Sequence, residues 1–121
     1  MPVNRILLIE DEATTRELLT HALRGEGYAV DAAETAAAAA THLESGPYAL
    51  VIADWLLPDG NGIDLADRAT KLGAKTIVFS EHLFRLPAGS ADPHQLMMKP
   101  VRPGEIVAAV RRVIGRPRAE V

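Results

Sequence analysis

The chain has 121 residues, of which 48% are hydrophobic, and a formal net charge of −3 at pH 7. This length and composition predict a single domain, residues 1–121, with a core at about 4–115 and a tail at 116–121. Cysteine is absent, which excludes disulfides and thiolate metal sites. The negative charge argues against direct nucleic-acid binding, and no stretch has the roughly 18 apolar residues of a membrane span. Since the N-terminus has no signal-peptide pattern, we expect a cytoplasmic protein.

The first part of the chain alternates strand and helix patterns. Ile6–Ile9 is a continuous apolar run that ends in the acids Glu10–Glu12, a pattern typical of a buried strand with charged residues at its carboxyl end. Over Ala13–Gly25, leucines and alanines recur on one helical face. Tyr28–Ala32 predicts a second strand, and the alanine-rich Thr35–Leu43 predicts a second helix whose first residue is the N-cap.

A third apolar run, Val51–Ala53, ends at Asp54 and breaks into a loop marked by Pro58, Gly60 and Gly62. The run predicts a buried strand with Asp54 at its carboxyl end, which is where ligands bind in open α/β sheets. Taken alone, an aspartate in this position is more often a turn residue or a helix N-cap. A functional interpretation of Asp54 therefore depends on what the other strands bring beside it.

The second half of the chain continues the alternation. Ile63–Leu72 predicts a third helix, Thr76–Ser80 a fourth strand and Gln95–Met98 a short fifth strand. Prolines and a glycine in the Ser80–Lys99 segment leave room for about two helical turns at most, so a fourth helix should be short or irregular. Pro103 suits the first turn of a last helix. The apolar stripe of that helix consists of Ile106, Val107, Val110, Val113 and Ile114.

Strands interleaved with helices predict a five-stranded parallel sheet sandwiched between helices, because parallel crossovers need intervening helices. In that fold Glu10, Asp11, Asp54, Ser80 and Lys99 all reach one edge of the sheet. Clustered carboxylates repel one another, and a divalent cation compensates that repulsion. All-oxygen ligands of this kind suit Mg²⁺. An aspartate flanked by a metal ion, a lysine and a hydroxyl can itself be the nucleophile in phosphoryl transfer.

These features resemble the receiver domain of two-component response regulators, from Ile6 to about Ile114. Ile6–Glu12 is similar to the first strand and acidic pair of that family, Asp54–Gly62 to its phosphoacceptor loop, and Lys99-Pro100 to its Lys-Pro dipeptide. The resemblance implies a flavodoxin-like, CheY-like fold. It also implies that the protein is the phosphoacceptor of a two-component phosphorelay and switches a protein–protein interaction.

The resemblance assigns a role to each acid of the predicted site. Asp54 would accept the phosphoryl group, and Asp11, Asp54 and the Leu56 carbonyl would bind Mg²⁺, which is the implied cofactor. Glu10 would orient a water of the metal. Such a domain is not a conventional enzyme, because it catalyses only its own aspartyl phosphorylation and dephosphorylation.

The remaining roles fall to the last two strand ends. Ser80 matches the switch hydroxyl of the family and Lys99 the phosphate-binding lysine, with a cis bond expected before Pro100. Two features depart from the family pattern. Leu96 stands where the family usually has tyrosine or phenylalanine, and the segment between Ser80 and Lys99 is shorter by roughly one helical turn. Both departures concern the coupling to an output surface rather than the chemistry at Asp54.

The implied partners are a sensor histidine kinase or a histidine phosphotransfer protein, together with a downstream protein target that the sequence does not identify. The sequence leaves homodimer formation open. Neither nucleic acid nor a membrane is expected as a direct partner.

Three alternatives compete with this interpretation. A haloacid-dehalogenase-like phosphatase needs a second aspartate two residues after the nucleophile, and that position is Leu56. A flavodoxin-like cofactor module needs a hydroxyl-rich phosphate loop, and the acids Glu10–Glu12 would repel the phosphate. A pseudo-receiver, which is the same fold acting as a phosphorylation-independent interaction module, is the third alternative and the most serious.

Overall fold

The computed structural model describes residues 4–81 and 94–117, and the strands and helices of these ranges alternate along the chain. The strands are β1 (Arg5–Ile9), β2 (Ala29–Ala33), β3 (Leu50–Asp54), β4 (Leu56–Leu57), β5 (Gly60–Asn61), β6 (Lys75–Ser80) and β7 (Gln95–Met98). The helices are α1 (Ala13–Gly25), α2 (Ala36–Ser45), α3 (Gly62–Lys71) and α4 (Pro103–Ile114). Most of the predicted short fourth helix would fall in 82–93, which lies outside the described residues.

The central sheet has five strands in the order β2-β1-β3-β6-β7, and every neighbouring pair is parallel. The predicted five-stranded parallel sheet is therefore confirmed. The strand order reverses between β1 and β3, because β2 lies on one side of β1 and the rest of the sheet on the other. In doubly wound sheets a ligand binds at such a switch point, outside the carboxyl ends of the strands.

Helices cover both faces of the sheet, which explains why the strands are continuous apolar runs in the sequence. In β1, the side chains of Ile6 and Leu8 pack on the face covered by α1 and α4. The side chains of Leu7 and Ile9 pack on the other face, against α2 and α3. All five residues of β3 are buried. The strand that ends at Asp54 is thus held by packing on both sides.

Local signals place most element ends correctly. The Thr35 hydroxyl accepts a hydrogen bond from the Ala38 amide and caps α2, as predicted. Pro103 is the first residue of α4, also as predicted. The second strand begins one residue later than expected, because its pairing with β1 aligns Arg5 with Ala29. Within the described ranges, no helix is long and apolar enough to cross a membrane.

The edge strand β7 is anchored at its first end by a buried histidine. His94 lies immediately before β7, and its side chain is fully buried. Its Nδ1 shares a hydrogen bond with the Thr76 hydroxyl of β6, and its Nε2 lies 2.7 Å from Asp67 Oδ1 of α3. A short edge strand has only one neighbour to fix its register. His94 supplies a side-chain connection from β7 to two other elements.

We expect His94→Leu to lower the free energy of unfolding by about 1–3 kcal/mol, because the Thr76 hydroxyl stays buried without its imidazole partner. Urea denaturation measures this change. The double variant His94→Leu/Thr76→Val should recover part of the loss, since it removes the unsatisfied hydroxyl as well. If His94→Leu unfolded at the same urea concentration as the native protein, the contacts of His94 with Thr76 and Asp67 would not stabilise the fold.

Candidate functional site

The carboxyl ends of β1, β3, β6 and β7 surround an open cavity of about 230 Å³. The structure brings the sequence-predicted site residues together at this cavity, except that Glu10 lies fully buried beside it. The lining residues are Asp11, Asp54, Trp55, Leu56, Phe79, Ser80, Glu81 and Lys99. Residues that are distant in sequence meet here because parallel strands end at one edge.

The loop after β3 closes tightly around Asp54. The Trp55 amide donates to the Phe79 carbonyl over 2.8 Å, and the Gly62 amide donates to the Trp55 carbonyl over 2.7 Å. A Cβ atom on Gly62 would lie 1.7 Å from the backbone oxygen of Asp54. Only glycine fits at this close approach. Gly62 therefore allows α3 to start directly behind the carboxylate.

The same loop is tied to the neighbouring helix by Asp59. Its two carboxylate oxygens accept hydrogen bonds from the amides of Ala36 and Ala37, at 2.7 and 3.0 Å, in the first turn of α2. These bonds hold the pKa of Asp59 below its ordinary value. Sequence analysis missed this contact. An aspartate next to Gly60 predicts only a local turn. The amides that Asp59 binds at the start of α2 lie more than twenty residues away in the chain, so no local pattern indicates them.

Two buried carboxyl groups and one lysine form the centre of the site. Lys99 Nζ lies 2.8 Å from Glu10 Oε1 and 3.1 Å from Asp54 Oδ1. The other oxygen of Glu10 accepts a hydrogen bond from the Glu12 amide over 3.2 Å. Asp54 is only 4% exposed. One ammonium group therefore faces two carboxyl groups that have little contact with water.

Burial and the adjacent Glu10 carboxyl raise the pKa of Asp54 to about 8. Burial also acts to raise the pKa of Glu10, but its interactions with Asp54, Lys99 and the Glu12 amide outweigh this effect, so the pKa of Glu10 is lowered. Burial acts to lower the pKa of Lys99, but Glu10 and Asp54 outweigh it, so this pKa is raised. Below about pH 8 the raised pKa of Asp54 therefore favours its protonated form, whereas the lowered pKa of Glu10 favours the carboxylate.

The site fits a hard divalent cation. One carboxylate oxygen from each of Glu10, Asp11 and Asp54 lies within 4.8 Å of the others. Glu10 and Asp54 are buried, whereas Asp11 is exposed at the cavity. A cation in contact with these oxygens would replace the proton on Asp54 as the source of compensation. An all-oxygen donor set with an open side suits Mg²⁺, which keeps several waters when bound.

Lys99 is held in place by the backbone on both sides. The Lys99 amide donates to the Ser80 carbonyl over 3.0 Å, which continues the pairing of β7 with β6. The bond between Lys99 and Pro100 is cis, which confirms the expectation from the resemblance. Leu96, which stands at the usual aromatic position, is 37% exposed on β7. Leu96, one of the two departures from the family pattern, therefore lies on the edge strand and does not line the cavity.

The family model described as response regulator receiver domain matches residues 6–111. The chain belongs to the response regulator receiver domain family. The matched range contains all the acids of the site, Ser80 and Lys99. This family membership confirms the resemblance to receiver domains that the motifs indicated.

Solved structures and curated proteins agree with this assignment. The response regulator protein TrrA from Thermotoga maritima, in complex with Mg²⁺-BeF, has a TM-score of 0.80 and 31% identity, over 91% of this chain and 98% of that chain. The DNA-binding response regulator MtrA from Mycobacterium tuberculosis is 36% identical over 120 residues, which covers 93% of this chain and 51% of MtrA. The transcriptional regulatory protein ResD from Bacillus subtilis is 29% identical over 116 residues, 93% of this chain and 48% of ResD. The receiver domain thus spans about half the length of these curated relatives.

In this receiver domain, Gly62→Ala should lower the free energy of unfolding by about 1–3 kcal/mol, because the new methyl group overlaps the Asp54 carbonyl. Thermal and urea denaturation measure the loss. Gly104→Ala is the matched control, since Gly104 lies in α4 and a methyl group added there would meet no other atom within 4 Å. The control should be neutral or stabilising, and equal effects of both substitutions would contradict the steric explanation.

The raised pKa of Asp54 also predicts a pH dependence of stability without metal. Between the ordinary aspartate value of about 4 and the folded value of about 8, the folded state binds more protons than the unfolded state. Stability therefore falls as pH rises through this window. Asp54→Asn should remove that slope, and its advantage over the native protein should grow by at least about 1 kcal/mol between pH 5 and pH 8. Urea denaturation in a chelating buffer measures both curves.

Asp59→Asn provides the control for this titration. The pKa of Asp59 is lowered in the folded state and is about 4 in the unfolded state, so its carboxylate is almost fully ionised in both states across pH 5 to 8. Its stability curve should therefore be displaced from the native curve but parallel to it. If Asp54→Asn also ran parallel to the native curve, the Asp54 carboxyl would not have the raised pKa.

Proposed function

We propose that this receiver domain accepts a phosphoryl group on Asp54 in a Mg²⁺-dependent reaction. The observation that carries this proposal is the buried Asp54 carboxyl at the floor of an open acidic cavity, with Lys99 Nζ 3.1 Å from it. A purely structural carboxylate would be expected to be satisfied by hydrogen bonds. Both Asp54 oxygens lack a hydrogen bond of good geometry within the described residues. The group is thus kept available for a ligand.

The chemistry assigns a step to each residue. An Asp54 oxygen attacks the phosphorus of a phosphohistidine, a P–O bond forms, and the P–N bond to the imidazole breaks. Lys99 then pairs with the phosphoryl oxygens, and the Ser80 hydroxyl donates a hydrogen bond to one of them. Catalysis of such a transfer is mainly positioning and neutralisation of charge. The domain acts on its own aspartate and is therefore a substrate as well as a catalyst.

The metal would be held by Asp11, Asp54 and the Leu56 carbonyl, with Glu10 close behind them. When bound, Mg²⁺ supplies positive charge that favours the ionised form of Asp54 and offsets the charge of the phosphoryl oxygens. The raised pKa of Asp54, about 8, supports this need, because a protonated carboxyl is a poor nucleophile. The similarity to TrrA, which was solved with Mg²⁺-BeF, supports the choice of ion.

The donor would be a histidine kinase or a histidine phosphotransfer protein. TrrA, 31% identical to this chain with a TM-score of 0.78, was also solved in complex with the histidine kinase ThkA, and this supports a kinase as the partner. The downstream target stays unidentified. MtrA is named a DNA-binding response regulator, but this chain covers only 51% of it. The description of MtrA therefore does not extend to this chain, and the expectation that the chain makes no direct contact with nucleic acid stays a prediction.

We expect one phosphoryl group to be added to the native chain by acetyl phosphate or phosphoramidate, and only with Mg²⁺ present. Intact-mass spectrometry measures the addition. Asp54→Asn should show no mass shift, because it lacks the nucleophile. Asp59→Asn removes an acid from the same loop that lies outside the cavity, and it should still be phosphorylated.

The outcomes separate the two candidate functions. A full phosphoryl shift in Asp54→Asn would place the acceptor on another residue. No shift in the native chain with any donor, including a phosphorylated histidine kinase, would favour the phosphorylation-independent interaction module. Leu96 at the usual aromatic position is the feature that favours a phosphorylation-independent interaction module as the second candidate.

A further inference from the structure

The side chain of Arg16 on α1 extends back over the turn that carries the acidic pair, Glu10 and Asp11. Its Nη1 donates to the Glu10 carbonyl over 3.0 Å and reaches the Asp11 carbonyl over 3.4 Å. The Arg16 side chain is only 19% exposed. It does not line the cavity, and its contacts with the acidic pair are made through the backbone. Arg16 is thus placed behind the candidate metal ligands rather than among them.

The position of Arg16 in the helix is unfavourable on local grounds. Arg16 is the fourth residue of α1, close to the positive end of the helix dipole, where acids are preferred and cations are not. No acid occupies the first turn of α1. The end of the helix is capped instead by the Glu12 side chain, which accepts from the amides of Thr14 and Thr15. The contacts of Arg16 with the acid-bearing turn offset this local cost.

Through one peptide group, Arg16 connects to Glu10. The peptide between Asp11 and Glu12 faces Arg16 with its carbonyl and donates its N–H to Glu10 Oε2 over 3.2 Å. The other carboxylate oxygen of Glu10 accepts from Lys99 over 2.8 Å. The guanidinium group therefore bonds to the Glu10 carbonyl and also reaches the next peptide, whose N–H binds a buried carboxylate of the site. Any rotation of that peptide would change both Glu10 and the direction of Asp11.

The same turn is joined to the end of β2. The Glu10 amide donates to the Ala33 carbonyl over 3.0 Å. Glu34, the next residue, lies 3.8 Å from Arg16 Nη2, and its side chain is 67% exposed. An exposed pair of this length contributes little by itself. The carbonyl contacts are therefore the main connection of Arg16 to the site.

We propose that Arg16 is a positioning residue for the divalent-metal site, which orients Asp11 and Glu10 by fixing the two peptide groups on either side of Asp11. The identity of the ion as Mg²⁺ rests on the function proposed above. Groups behind metal ligands commonly change metal affinity by about 10-fold or more when they are removed. Arg16 acts on the metal through the backbone of its ligands and makes no contact with the ion.

The test compares Arg16→Met with Arg24→Met. Arg24 lies on the same helix, carries the same charge, and also donates from its guanidinium to a backbone carbonyl, that of Val30 over 2.6 Å, far from the acids. Mg²⁺ is titrated at constant ionic strength, with Trp55 fluorescence as the readout, because Trp55 lines the cavity. We expect the Kd for Mg²⁺ to rise about 10-fold or more in Arg16→Met and to stay within about twofold of native in Arg24→Met.

Two further measurements keep the test independent of folding and of phosphorylation. Arg16→Lys keeps the charge but not the planar fork of donors, so its Kd should be intermediate. Without metal, amide exchange of Glu12 should be faster in Arg16→Met and unchanged in Arg24→Met, since only the former frees the peptide that holds Glu10.

Each outcome decides the inference. Native Mg²⁺ affinity in Arg16→Met, or equal weakening in both methionine variants, would overturn it, the latter because a change in net charge would then explain the effect. Failure of the native chain to bind Mg²⁺ would overturn the proposed metal and the proposed function. In that case, unchanged Glu12 exchange in Arg16→Met would also overturn the positioning role of Arg16, and faster exchange would support it.

Discussion

The burial of two carboxyl groups beside one ammonium group is the constraint on which the site depends. Glu10 and Asp54 are both almost completely buried, and Lys99 lies within 3.1 Å of each. One positive charge cannot stabilise two ionised carboxylates away from water. A proton on Asp54 or a cation at the cavity would each supply the missing compensation. Under the function proposed above, this competition between a proton and a metal ion would make Asp54 responsive to its ligands.

Contacts from outside the cavity hold the backbone segments that adjoin these buried carboxyl groups. Gly62 lets the chain pass within van der Waals distance of the Asp54 backbone, and Asp59 fastens the same loop to α2. Arg16 fastens the acidic turn to α1. Ligand geometry at a metal site depends on such supporting groups as much as on the ligands. The turn that carries Glu10 and Asp11 and the loop that directly follows Asp54 are consequently each bonded to a neighbouring helix.

The strand β7 shows how stability and function share one element. His94 connects its beginning to β6 and α3, while Lys99 directly after its end reaches the buried carboxyl groups. Between these two anchors, Leu96 and Met98 are exposed on the edge strand. The position of the Lys99 ammonium group thus does not depend on the aromatic residue that the family usually has at Leu96.

Sequence by itself determined the order along the chain of the five strands of the central sheet and of the described helices, and most of their ends, but not the short pair of β4 and β5. Continuous apolar runs identified the buried strands, and the N-cap Thr35 and the first-turn proline Pro103 located helix starts, because these signals act within a few residues. Only the tertiary structure decided the strand order, the one-residue shift of β2 and the partners of Asp59, His94 and Arg16. Except for Arg16, these depend on groups brought together from distant parts of the chain. The arginine bonds to a turn only a few residues away, but its side chain has many rotamers, and packing selects the one that reaches the Glu10 carbonyl.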